Sequence, residues 1–329
     1  MKKTRIAING FGRIGRLVLR AYVESGRDDL EFVAINDLAP AEHSAHLLEF
    51  DSVHGRMKTP IELSGDIMTV GGQKIKIMSE RNPGALPWKD LDIDIVMECT
   101  GIFSSAADAK VHIDAGAKKV LVSSPSEGAD STIVFGVNND ALLPGHTIVS
   151  CGSCTTNALA PVAKILDENF GIENGWMTTV HAYTGDQNLL DKDHKDMRRA
   201  RAAAMSMVPS STGAAKAIGL VLPNLAGKLN GAAIRVPVAN VSMVELVVNL
   251  SKPVTADDVN ALMKKSVNTV LGYNELPLVS VDFIGDAHSS VFDATMTHMV
   301  GDKTLHITTW YDNEWGFACR MSDVAALMN

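Results

Sequence analysis

Short apolar runs alternate with amphipathic stretches through the first half of the chain. Residues 4–9 form an apolar strand, and Leu17, Val18, Ala21 and Tyr22 then recur on one side at helical spacing. A second apolar strand, residues 31–36, ends at Asp37. Further strands are predicted at 93–98, 119–123 and 132–137, with a helix at 106–115 between the first two. Residues 61–78 read as a β-hairpin excursion turning at Gly71-Gly72. After residue 154 the rhythm changes. An amphipathic helix is predicted at 158–169, and 176–183, 231–238, 241–250, 290–299 and 303–311 are β-branched or alternating. With helices at about 213–220 and 255–271, this predicts a mixed, largely antiparallel sheet. Residues 186–208 carry many charges and few strand signals, the mark of a long functional loop. The last helix is predicted at 322–328, with Ser322-Asp323 as its N-cap pair.

The first strand and helix are joined by Gly10-Phe11-Gly12-Arg13-Ile14-Gly15. The three glycines do different things. Gly10 makes the tight turn, Gly12 admits a pyrophosphate to the backbone, and Gly15 lets helix pack on strand. The helix N-terminus receives the anion. Asp37 lies where a carboxylate accepts hydrogen bonds from ribose hydroxyls, and its charge repels a 2′-phosphate. A glycine pattern alone is weak; set between strand, helix, strand and acid it predicts a Rossmann domain that binds NAD.

Composition narrows the class. A chain of 329 residues is long enough for two domains. With 46% hydrophobic and 21% charged residues it is an ordinary globular chain. A formal net charge of −8 argues against nucleic acid or a membrane surface as partner. The apolar Ile6–Ile8 run is stopped by Asn9-Gly10, so no signal segment is expected, and no stretch approaches the ~18–20 apolar residues of a membrane span. A cytoplasmic location is expected. Four cysteines occur, Cys99, Cys151, Cys154 and Cys319; Cys151 and Cys154 have two residues between them, but no second pair or His cluster completes a zinc site, so no metal is expected.

Cys154 lies within Ser153-Cys154-Thr155-Thr156-Asn157, ahead of a predicted helix whose positive end would lower a thiol pKa. His181 follows at the end of a predicted strand. A thiolate–imidazolium pair between them is one reading; a purely structural histidine is the other. Thr184, Asp186, Arg198, Arg199, Ser211, Thr212, Gly213 and Arg235 supply hydroxyls and guanidiniums of the kind that bind phosphate. Arg198, Arg199 and Arg201 would serve equally as a solvated face. Arg235 sits inside an apolar strand, where an unpaired charge is costly, which favours a functional role.

Taken together, Ile8–Arg16, Glu98–Gly101, Ser153–Asn157, His181–Gln187, Ser211–Lys216, Arg235–Pro237 and Trp310–Gly316 make the chain resemble the phosphorylating glyceraldehyde-3-phosphate dehydrogenases over essentially its whole length. The resemblance implies an α/β fold: an N-terminal Rossmann domain over 1–152, and an α+β catalytic domain over 153–315. The C-terminal segment 316–329 would return to the first domain. It implies Cys154 as nucleophile and His181 as base in an NAD-dependent oxidative phosphorylation of glyceraldehyde 3-phosphate, a step of glycolysis and gluconeogenesis. Gly10, Gly12, Arg13, Ile14, Gly15, Asp37, Arg81, Ser123 and Asn313 would contact NAD. Thr184, Arg199 and Arg235 would hold the substrate phosphate, and Ser153, Thr155, Thr212 and Gly213 inorganic phosphate. The 186–208 loop would lie near a neighbouring subunit's cofactor in a homotetramer.

This chain departs from the family pattern in two places. Cys151-Gly152 stand where Asn-Ala is usual and Ala158 where Cys is usual, so the second thiol precedes Cys154. Cys151 is either a small filler or a thiol that resolves an oxidised Cys154. Lys192-Asp193 replace a Leu-Pro or Ala-Pro pair common in NAD-dependent members. The rival readings are an erythrose-4-phosphate dehydrogenase that releases acid by hydrolysis, a semialdehyde dehydrogenase, and a non-catalytic binding protein.

Overall fold

The computed structural model describes residues 3–329. Its first strand, β1 (Thr4–Asn9), is buried on both faces, which is why it reads as a nearly continuous apolar run. Helix α1 (Arg13–Ser25) lays Leu17, Val18, Ala21 and Tyr22 inward and ends at Gly26 in the left-handed region, φ 70°. There follow β2 (Leu30–Asn36), α2 (Ala41–Glu49), a two-residue pair β3 (Phe50–Asp51) and β4 (Gly55–Arg56), and a meander of β5 (Ile61–Ser64), β6 (Ile67–Val70) and β7 (Gln73–Met78). The expected hairpin is therefore three strands; Gly71-Gly72 turn β6 into β7, and Ser64–Ile67 closes the turn before it. Next come β8 (Ile95–Glu98), α3 (Ala106–Asp114), β9 (Lys119–Val122), β10 (Ser131–Thr132) and β11 (Ile148–Ser150). Of the strand expected at 132–137 only Thr132, the end of β10, is in the sheet, because Asn138 folds the segment back, accepting from Val134 N–H and donating to the Thr132 carbonyl.

These strands form one nine-stranded sheet in the order β10-β11-β9-β8-β1-β2-β7-β6-β5. Pairing is parallel from β10 through to β7. β1 lies between β2 and β8, so connections leave to opposite sides there, and a crevice opens at the carboxyl ends of β1 and β8.

The second half holds α4 (Cys154–Phe170), β12 (Ile172–Ala182), β13 (Val208–Ser211), α5 (Ala214–Val221), β14 (Leu229–Val236), β15 (Ser242–Leu250), α6 (Ala256–Lys265), β16 (Leu271–Asn274), β17 (Ser290–Val300), β18 (Thr304–Tyr311) and α7 (Trp315–Leu327). Its seven-stranded sheet has the order β13-β14-β12-β15-β18-β17-β16. Only β12–β14 and β16–β17 pair in parallel; the other four pairings are antiparallel. The chain divides into two compact units, Met1–Ser153 with Ala318–Asn329, and Cys154–Phe317.

Three helices differ from their expected spans. α4 starts four residues early, at Cys154, and carries Pro161 in its interior. α6 stops at Lys265, where Ser266 returns its hydroxyl to the Leu262 carbonyl. α7 starts at Trp315, seven residues before the Ser322-Asp323 pair expected to cap it. The cap is Asp312 instead: its carboxylate accepts from the Glu314 and Trp315 N–H groups, 2.9 and 2.8 Å. Asp323 lies within the helix and pairs with Arg27 and Arg320. No helix among the described residues is long and apolar enough to cross a membrane.

Candidate active site

The crevice of the first sheet is a cleft of about 430 Å³. Gly10, Gly12, Asn36, Asp37, Arg81 and Thr100 are among its lining residues. Gly10 has φ 91°, and a Cβ there would lie 2.7 Å from the Thr100 backbone nitrogen. Gly15 is packed so closely that a Cβ would strike the Gly10 carbonyl oxygen. Gly12 faces open space and starts α1, whose first turn holds no acidic residue and no side-chain cap. An uncapped helix start beneath an open glycine suits a pyrophosphate, so the residues fit the cofactor that the glycine pattern implies. Asp37 is fixed by the Phe11 and Ala39 N–H groups, 2.7 and 2.9 Å from its two carboxylate oxygens.

The remaining expected cofactor residues are placed differently. Arg13 and Ile14 begin α1 and do not line the cleft. Arg13 reaches Asp51 at 2.9 Å. Asp51 is lifted by burial but carried further down, to about 2, by the His54 and Val53 N–H groups and by Arg13. Ser123 directly follows β9, outside the cleft lining, and hydrogen-bonds Cys99, whose thiol is pushed up by burial. Asn9, Asn36 and Thr100 also line the cleft, a role that no local pattern assigns them.

The thiol site is built in the second unit by α4, β12, β14 and β18. Cys154 is the first residue of α4, where free N–H groups and the helix dipole favour a thiolate. His181 Nε2 lies 3.5 Å from Cys154 Sγ. Parallel pairing of β12 with β14 sets His181 opposite Arg235. His181 Nδ1 lies 2.7 Å from the Ala182 carbonyl, which takes its N–H and leaves Nε2 bare toward the sulfur; Arg235 Nη1 closes on the same carbonyl at 3.1 Å, 2.8 Å from Nδ1. Burial first, then the Arg235 charge, draws His181 down to about 3. Burial pushes the Cys154 thiol up, while Arg235 and hydrogen bonds from Thr155 pull it down. Burial thus opposes charge on either group, while the start of α4 and Arg235 favour it on the sulfur and not on the imidazole. A neutral imidazole is the form that accepts a proton as the sulfur attacks.

Behind this pair, Tyr311 OH bridges Thr155 and Thr179, 2.9 Å from each hydroxyl, with its ring edge-on to His181. Thr155 therefore braces the site from within. Ser242 Oγ receives the Ala182 N–H at 3.0 Å and donates to Asn313 Oδ1 at 2.8 Å, which leaves the Asn313 amide N–H groups as its outward donors. The preceding Val241 has φ 67°, costly for a β-branched residue, and it is held there by packing against Phe283 and Val291. Nothing in the local sequence signals Tyr311 or Ser242 as parts of the site; only the sheet brings them there.

Arg199 donates to Asp186 at 2.6 Å and to Ser210 at 3.1 Å on β13, the strand beside β14. Thr184 follows β12 within the turn closed by Gln187 N–H. Thr212 and Gly213 lead into α5, which has no side-chain cap at Gly213, and Ser153 immediately precedes α4. Arg235 Nε is buried without a partner among the described residues, a donor that an anion would satisfy. Cys151 is fully buried, and burial raises its thiol to about 12. No group of three or more His, Cys, Asp or Glu able to hold a metal occurs among the described residues.

A thiol with a neighbouring base adds to a carbonyl, and the adduct is oxidised only if a hydride acceptor is supplied. The parallel-sheet cleft of the first unit is built to hold one, which is the equipment of a dinucleotide-dependent dehydrogenase. Comparison with known proteins narrows the class. Residues 4–106 match the glyceraldehyde 3-phosphate dehydrogenase NAD binding domain, and residues 153–313 match the C-terminal domain of the same family. Proteins named glyceraldehyde-3-phosphate dehydrogenase are similar over nearly the whole length. Those of Xanthobacter flavus and Cereibacter sphaeroides are each 54% identical over 98% of both chains. That of Pseudomonas aeruginosa is 53% identical over 98% of this chain and 97% of its own. The chain belongs to the glyceraldehyde-3-phosphate dehydrogenase family and is an NAD-dependent oxidoreductase.

Proposed function

We propose that this enzyme oxidises glyceraldehyde 3-phosphate to 1,3-bisphosphoglycerate, using NAD and inorganic phosphate, with Cys154 as nucleophile and His181 as acid–base. The observation that carries the reading is the 3.5 Å approach of His181 Nε2 to a sulfur at the start of α4. His181 takes the thiol proton as sulfur bonds to the aldehyde carbon, and returns it to the developing oxyanion. It takes that proton again as the thiohemiacetal is oxidised to a thioester. NAD, when bound, supplies the hydride acceptor. A phosphate oxygen then bonds to the thioester carbon, the C–S bond breaks, and Cys154 leaves as the thiol after recovering its proton.

Arg235, Arg199 and Thr184 form the cradle for the substrate phosphate in this reading. An anion there would also offset the positive charge that holds His181 down, so substrate binding would strengthen the base. Ser153, Thr212 and Gly213 would take inorganic phosphate at the start of α5, with Thr155 placed by Tyr311. Gly10, Gly12, Asp37 and Arg81 would cradle NAD, Asn313 would meet the nicotinamide amide, and Arg13, Ile14, Gly15 and Ser123 would shape the surrounding backbone. In domain terms, 1–152 with 316–329 would serve the cofactor and 153–315 the chemistry. The enzyme would act in the cytoplasm as a homotetramer. In support, the 186–208 loop leaves Leu189, Leu190, Met197, Met205 and Met207 exposed, Met197 at 82%. The names of the relatives favour this substrate over erythrose 4-phosphate.

The test is the rate of NAD reduction with glyceraldehyde 3-phosphate, with and without phosphate or arsenate, and with NADP in place of NAD. Turnover that needs phosphate or arsenate and prefers NAD is expected. Equal turnover without either anion would point instead to hydrolysis. Cys154→Ser should abolish oxidation while NAD still binds.

A further inference from the structure

Beneath the cofactor cleft lies a chain of buried polar groups that the reaction itself does not use. Glu98, the last residue of β8, is 1% exposed, and His112, in the last turn of α3, is 0% exposed. A carboxylate this deep is costly unless its lone pairs are taken up. Here four donors converge on it. Oε2 receives Asn9 Nδ2 at 2.6 Å and lies 3.0 Å from His112 Nε2; Oε1 receives the Thr100 N–H at 2.7 Å and the Thr100 hydroxyl.

The far side of His112 decides its tautomer. Trp88, fully buried in the core under β1 and β8, points its indole Nε1 at His112 Nδ1, 3.1 Å away. An indole nitrogen only donates, so Nδ1 accepts and the ring proton of the neutral imidazole lies on Nε2, facing Glu98. Two of the residues that Glu98 holds line the cleft. Asn9 in turn accepts from Asn36 at 2.8 Å, and Asn36 grips both backbone groups of Glu80 at the opposite rim. Thr100 lies so close to Gly10 that a Cβ on the glycine would overlap it, and its hydroxyl also receives the Ile102 N–H.

We propose that Trp88, His112 and Glu98 form a line of positioning residues for NAD. Trp88 sets the proton on His112, His112 aims Glu98, and Glu98 fixes Asn9 and Thr100, so both walls of the cleft keep the spacing the dinucleotide requires. None of the three needs to touch the cofactor. The proposal rests on the reading of this cleft as the NAD site.

The test compares His112→Phe, His112→Gln and Trp88→Phe in the full-length enzyme. NAD dissociation constants, kcat, KM and thermal midpoints are measured for each. His112→Phe keeps the bulk but removes the donor to Glu98. It should raise the dissociation constant and KM for NAD about tenfold, the scale of one lost hydrogen bond to a buried charge, with kcat within about twofold. Iodoacetamide should alkylate Cys154 at the parental rate. His112→Gln, whose amide can donate to Glu98, should recover affinity to within about threefold of the parent. Trp88→Phe should weaken NAD less than His112→Phe does. Nitrogen-15 spectra of the parent should show His112 protonated on Nε2 and bare on Nδ1.

The proposal is overturned by a His112→Phe enzyme that loses thermal stability but binds NAD normally. It also fails if glutamine rescues nothing, or if His112 carries its proton on Nδ1. Should His112→Phe not fold, the glutamine and Trp88 variants and the spectrum decide. Asp37→Ala, run in parallel, separates the two levels. If it weakens NAD binding while His112→Phe does not, only the positioning line is wrong; if neither does, the cleft is not the NAD site.

Discussion

At the scale of single residues, Arg235 has two opposed effects on the reactive pair. Its charge lowers His181, which disfavours imidazolium, and it also lowers Cys154, which favours thiolate. Removing it should therefore shift the pH inflection for Cys154 alkylation upward, and raise KM for the substrate at least tenfold if the guanidinium holds its phosphate. Iodoacetamide kinetics of Arg235→Leu across pH 6–10 read the first effect directly, and an unmoved inflection would remove Arg235 from the electrostatics of the thiol. Asp51 offers a test away from the chemistry. Its folded pKa, about 2, lies below the ordinary 3.8, so the stability it confers is present above about pH 4 and lost as pH falls toward 2. Asp51→Asn should be less stable at pH 7 by about 1–2 kcal/mol, with the difference in thermal midpoint shrinking to nothing near pH 2. The resolving-thiol reading of Cys151 is weakened by its complete burial and raised pKa, since thiolate character and access govern such exchange.

At the scale of elements, the strands and helices of the first unit are legible in the sequence because their patterns are local. Parallel strands buried on both faces show as apolar runs, and Gly10, Gly12 and Gly15 punctuate the first turn. The start of α7 is not legible in this way. Ser322-Asp323 is a sound cap pair by residue type, yet Asp312 is the residue whose carboxylate meets the free N–H groups. Asp312 also receives the Gly285 N–H at 2.8 Å. Asp312→Ala should cost about 2–3 kcal/mol by stranding these donors, and Asp312→Asn much less, as read by thermal unfolding. Because Asn313 follows Asp312 directly, the alanine variant should also weaken NAD binding more than a simple loss of stability implies. The sequence pattern shows α4 only from residue 158, since its threonine-rich first turn lacks the apolar periodicity that marks a helix. That early start matters, because it moves Cys154 from a loop ahead of the helix onto its positive end.

At the scale of the whole molecule, family membership joins the two units into one enzyme, and the 186–208 loop is where assembly should be tested. Leu190→Asp replaces one of the loop's exposed apolar side chains with a charge. It should lower the mass seen by light scattering below that of the proposed tetramer while leaving the fold intact by circular dichroism; an unchanged mass would remove Leu190 from the assembly contact. Sequence alone determined the dinucleotide turn and the family's cofactor, NAD, and it singled out Asp37, Cys154 and His181 as the residues proposed for the ribose, the nucleophile and the base, because each is a chemical type in a recognisable local setting. Tertiary structure alone decided what those groups experience. The β12–β14 register puts Arg235 on His181, the end of β18 brings Tyr311 behind the thiol, and α3 carries His112 under the cleft. Burial and hydrogen-bond direction, which shift Cys154 and His181 and set the tautomer of His112, arise from contacts between residues far apart in the chain, and no local pattern encodes them.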